Sequence, residues 1–130
     1  MVNKRRPRNE SGEATAQLVI ITPILLIMVF LAIQAALFFH AANVAAAAAS
    51  QGAAAGSRLH AEAGVAAQAA LTTVHELGAT EAEAPSVAIS ATDVVVRVDV
   101  SVSQIIPFFP DSVSRTAVES RERFVPEPER

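Results

Sequence analysis

A chain of 130 residues leaves room for one small domain beside any membrane segment. It has no cysteine, which excludes disulfides, thiolate metal sites and cysteine nucleophiles together. The net charge of −3 sums a short basic leader and a mildly acidic remainder, and a leader without aromatic residues argues against nucleic-acid binding.

Residues 1–12 (MVNKRRPRNESG) are polar and basic, with Pro7 opposing a helix, and predict a disordered cytoplasmic leader. Glu13 then opens a run of helix formers, its carboxylate suited to the positive end of a helix dipole. Residues 18–39 carry no charge across 22 positions, interrupted only by Thr22, Pro23 and Gln34. At about 1.5 Å of rise per residue this run reaches about 33 Å, against about 30 Å for a bilayer core. It predicts a transmembrane helix. Lys4, Arg5, Arg6 and Arg8 precede the span, and the next basic residue is Arg58. Basic flanks stay on the cytoplasmic side, which places the amino terminus inside and the remainder outside a single-pass membrane protein. The tripeptide Ala45-Ala46-Ala47 also satisfies the small-x-small rule of an ordinary signal peptide. Against that cut stands an apolar run much longer than the about 7–15 residues of a typical signal core.

Beyond the span the chain turns almost to pure alanine over residues 41–55, the best helix former. Leu59, Ala63, Ala66, Ala70, Val74 and Leu77 then recur at steps of three and four, opposite Arg58, Glu62, Gln68, Thr72, His75 and Glu76. Gly78 stands where a left-handed residue ends a helix. One helix over residues 13–77 is expected, with Gly52, Gly56 and Gly64 as places to bend. Ala48, Gly52 and Gly56 form a small-residue face for close helix packing, either against another chain or inside the chain's own domain.

From residue 86 the period becomes two. Residues 86–90 and 94–103 read as strands, with Val94, Val96, Val98, Val100 and Val102 on one face. Residues 113–125 supply a third, with Val118 and Phe124 as inward signals. The expected fold is an α+β membrane protein, a long helix followed by a small antiparallel sheet. Three regions are expected: a leader over 1–12, a helix over 13–77, and an exported β region over 78–130 packed on residues 57–77. The loop at residues 105–110 (IIPFFP) makes a rigid apolar knuckle. Phe108 and Phe109 are there to meet a partner or the outer leaflet, or else to plug the end of the sheet.

His40, His60 and His75 are too far apart to form a local metal site on a helix. Glu81 and Glu83 sit in a polar connector where solvation is the default. No phosphate loop, G-x-S-x-G or metalloprotease motif is present. An enzyme is not expected, nor a cofactor or a small-molecule substrate.

The junction Gly12-Glu13-Ala14-Thr15-Ala16-Gln17-Leu18 follows a basic leader and precedes an apolar run with Thr22-Pro23-Ile24-Leu25-Leu26 near its start. This order resembles a class III, type IV pilin-like signal, and in particular the TadE-like family of tight-adherence pilus assembly. The resemblance implies cleavage after Gly12 by a membrane aspartyl prepilin peptidase, Glu13 as the mature first residue, and other pilin-like or pilus-assembly proteins as partners. The family usually has glutamate where Gln17 stands. Glutamine keeps the hydrogen bonding and loses the charge, which points to a minor or accessory pseudopilin. The other reading left open is a single-span, membrane-anchored envelope protein, its leader retained and its exported domain binding a partner.

Overall fold

The computed structural model describes residues 10–79 and 81–122; residues 1–9, Phe124 and the tail lie outside the described residues. The first helix, α1, runs over Glu10–Ser57 and at about 1.5 Å per residue is about 72 Å long. It therefore begins inside the expected leader. Among the described residues it is the one helix long and apolar enough to cross a membrane. Pro23 lies within it, and the neighbouring Thr22 hydroxyl donates to the Leu18 carbonyl at 2.7 Å. Residues 12–33 are exposed on every side. Burial starts at Gln34 and continues through Ala41, Ala42, Val44, Ala45, Ala48, Ala49, Gly52, Ala53 and Gly56.

The expected continuous helix is corrected at residue 57. Residues 58–62 turn the chain, with His60 at φ 63° and the Ala61 amide donating to the Arg58 carbonyl at 3.1 Å. A second helix, α2 (Ala63–Glu76), then runs back along α1. Gly56 faces Ala66, Gly52 faces Ala66 and Ala70, and farther down Leu37, His40 and Ala41 line a hollow with Gly78 and Ala79. The reason is burial. A straight helix would leave both alanine faces in water, whereas the hairpin seats one on the other at a distance only small residues allow. The centre of the predicted stripe, Ala66, Ala70 and Val74, is buried, and its ends Leu59 and Leu77 are exposed. Gly78 closes α2 as expected, at φ 80°. Its amide donates to the His75 carbonyl at 3.1 Å while that of Ala79 reaches Val74 at 3.1 Å, the bond pair of a Schellman cap.

Three antiparallel strands follow: β1 (Ser86–Ile89), β2 (Asp93–Ser101) and β3 (Ser112–Ser120), in spatial order β1-β2-β3. The valine alternation holds. Val94, Val96, Val98 and Val100 are buried, and Val102 just beyond the strand joins them. The inward residues of β3 are Val113 and Ala117, opposite Val100 and Val96. Val118 is corrected to the outer face, 59% exposed, because it pairs with Val95 rather than with an inward valine. The connector also joins the sheet: Ala82 bridges to Val100, and the Glu83 amide donates to the Asp99 carbonyl at 3.1 Å.

The cover of the sheet differs from expectation as well. β2 and β3 lie against α1, and α2 meets chiefly β1. Val94 and Val96 sit over Gly56 and Gly52, where the missing side chains leave room for them. β2 runs antiparallel to α1, from Gly56 at Val94 down to Gln34 at Ser103. The two lengths agree: 9 residues of strand at about 3.4 Å match 22 residues of helix at about 1.5 Å. β3 returns, and the Glu122 amide donates to the Ser57 carbonyl at 2.9 Å. The tip of the β2–β3 hairpin thus points toward the amino-terminal half of α1.

Candidate functional site

Gln34 is the one buried polar side chain among the described residues, and it is the first buried residue of α1. Its Oε1 accepts the amides of Ile105 at 2.8 Å and Ile106 at 3.3 Å, and its Nε2 donates to the Ser103 carbonyl at 3.4 Å. A lone amide in an apolar helix costs free energy unless partnered, and here the partner is the backbone of the hairpin tip. The sequence marked Gln34 only as an interruption of the span. Its isolation within the apolar run was the available signal that something docks there.

The docked loop is held at its other end too. Gln104 Nε2 donates to the Phe109 carbonyl at 2.5 Å, and the Val102 amide donates to the Asp111 carbonyl at 2.7 Å. Phe109 is half-buried, while Phe108 is fully exposed at φ 78°. Phe108 therefore does not plug the sheet; a bulky side chain at positive φ is held outward against its backbone preference.

Gly52 and Gly56 do pack against a helix, but it is the chain's own α2, with β2 over the same face, and Ala48 is buried in the same core. A Cβ at Gly52 would lie 2.9 Å from the Ala66 carbonyl oxygen, and one at Gly56 would lie 2.9 Å from both Ala66 Cβ and Val94 Cγ1. This replaces the reading in which that face receives another chain.

Gly12, Glu13 and Gln17 lie on the exposed first turns of α1. A Cβ at Gly12 would meet nothing within 4 Å. Packing among the described residues gives no reason for a glycine there. Far from both places, Arg97 pairs with Asp99 at 3.1 Å on the outer face of the sheet. Hydrogen bonds from Arg97 and then Ser114 hold the Asp99 carboxyl below the usual carboxylate range, and the bond to Asp99 raises Arg97. Among the described residues no group of three or more His, Asp or Glu side chains is placed to hold a metal ion.

No curated protein and no solved structure matches the chain at a significant level. Residues 12–54, from the junction glycine to the last turn of α1, match the family described as TadE-like protein, so the likeness lies on the long apolar helix and does not reach α2 or the sheet.

Proposed function

We propose that the chain is a minor pseudopilin of a tight-adherence-type pilus assembly system or an allied secretion apparatus. Its role is structural rather than catalytic. α1 holds it in a bacterial cell membrane with the basic leader in the cytoplasm and the sheet outside. A prepilin peptidase removes residues 1–12, leaving Glu13 first. The observation that carries this reading is the TadE-like match, which opens at Gly12 and follows the helix. The surroundings of Gly12 support it, since nothing among the described residues packs there. So does the free apolar surface of residues 18–33, open to lipid or to the helices of other pilin-like proteins. Removal of the whole span at residues 45–47 fits poorly, because Ala41, Ala42, Val44 and Ala45 belong to the core.

The test is the intact mass and amino-terminal sequence of the protein from membranes of its native host. A chain starting at Glu13 is expected, and Gly12→Val should leave the leader attached. A retained leader in the wild type would overturn processing and leave the second reading, a single-span envelope protein whose exported domain binds a partner. The full exposure of Phe108 is the observation in its favour.

A further inference from the structure

We infer that the β2–β3 loop is a second membrane contact: residues 105–110 enter the leaflet farthest from the basic leader, with Phe108 as the inserted side chain. The inference rests on the membrane span of α1 and not on cleavage of the leader.

The length of the free helix carries the argument. Residues 18–33, the apolar part exposed on every side, make 16 positions and reach about 24 Å. A hydrocarbon core of about 30 Å needs about four more residues. Thr15 and Gln17 stand on the leader side, with Glu13 behind them, so the apolar extension runs the other way, through Gln34 to Leu37. Gln34 is where the loop is bonded. The hairpin arrives there tip first, descending along α1 from Gly56. The loop therefore meets the bilayer at the depth where the span is still incomplete.

The chemistry of the loop suits that depth. In hydrocarbon a backbone amide has no water to bond, so its donors must be satisfied within the protein. Pro107 and Pro110 have no amide hydrogen. Those of Ile105 and Ile106 go to Gln34, and the Phe109 carbonyl is taken by Gln104. The amides of Phe108 and Phe109 have no partner among the described residues, which sets the backbone of the tip at headgroup depth with the Phe108 ring reaching below it. Residues 102–110 carry no charge; Asp111 is the first. Ile105 is exposed, and Phe108, at φ 78°, is fully so.

The chain contains no tryptophan, so Phe108→Trp gives a single fluorescent reporter. The full chain is reconstituted in protein-free vesicles of phosphatidylcholine and phosphatidylglycerol. Val118→Trp, on the outer face of the sheet, is the water-exposed comparison, and Ile105→Trp repeats the test from a second position in the loop. Circular dichroism matching the parent chain checks folding. Insertion predicts blue-shifted emission for Phe108→Trp, loss of that emission with nitroxide lipids labelled near the headgroup, and little quenching by acrylamide. Val118→Trp should show the reverse. Emission from both loop positions that matches Val118→Trp would overturn the inference. So would water access in vesicles with protection in native membranes, which would assign the loop to a protein partner. No peptidase or pilin is present in the vesicles, so the outcome is independent of whether the leader is cut.

Discussion

Gln34 and Ile105 are 71 residues apart in the chain and joined by a 2.8 Å hydrogen bond that fixes the hairpin tip to α1. Because Gln34 also accepts from Ile106 and donates to Ser103, one side chain orders the whole entry to the loop. Gln34→Leu keeps the volume and removes both kinds of partner. Leaving the two amides unpaired is expected to cost about 1–3 kcal/mol. Hydrogen exchange should show lost protection at Ile105 and Ile106, with the amides of β2 little changed. Unaltered exchange at both amides would mean that the loop is held by something other than Gln34.

Gly52 and Gly64 offer the same substitution in opposite surroundings. An added Cβ at Gly52 would stand 2.9 Å from the Ala66 carbonyl oxygen, 3.0 Å from Ala70 Cβ and 3.1 Å from Val96 Cγ1. At Gly64 it would meet nothing within 4 Å. Gly64→Ala is expected to stabilise by up to about 1 kcal/mol through helix propensity. Gly52→Ala gains the same term and loses about 1–3 kcal/mol to overpacking, and Gly52→Val should be clearly worse. Thermal unfolding in detergent micelles separates the two sites; a stabilising Gly52→Ala would mean that α1 and α2 are not in close contact.

Much of this architecture was legible because it rests on local patterns. The uncharged run marked the span, the alternating valines marked β2, and Gly78 marked the end of α2. The turn at residues 58–62 was not legible. Its residues, Arg58, Leu59, His60, Ala61 and Glu62, include neither proline nor glycine, and alanine favours a helix whether it ends up buried or exposed. What bends the chain is the match between two alanine faces, a tertiary effect that local propensity does not contain. The same holds at Val118, whose side of the sheet depends on pairing with Val95, and at Gln34, whose partners come from the far end of the chain.

Asp99 supplies the pH dependence that the described residues make visible. Its carboxyl is held below the usual carboxylate range by Arg97 and Ser114, so its folded value lies below its unfolded one. A group of this kind contributes stability that is complete above the unfolded value and lost as pH falls through the folded value. Asp99→Asn should therefore lower the melting temperature slightly at neutral pH, and the gap should close as pH is taken below the carboxylate range. The pair stands on the exposed face of the sheet, so screening keeps the gap small and salt should narrow it. A gap that widens in acid would contradict the pairing. The raised Arg97 value acts only above its ordinary range and adds nothing in this window.

His60 decides between a hairpin and a straight helix. At φ 63° it occupies a region that costs a residue with a Cβ about 1–2 kcal/mol, and glycine almost nothing. The side chain is exposed, so replacing it removes little packing. In the hairpin, His60→Gly relieves the strain at some cost in unfolded-state entropy, for a net stabilisation of roughly 0.5–1 kcal/mol. In an unbroken helix the same change would place glycine in the interior and destabilise by about 1 kcal/mol. The two arrangements thus predict opposite signs for one substitution. Chemical unfolding of the full chain in micelles reads that sign, and a loss of stability would return residues 57–63 to a continuous helix.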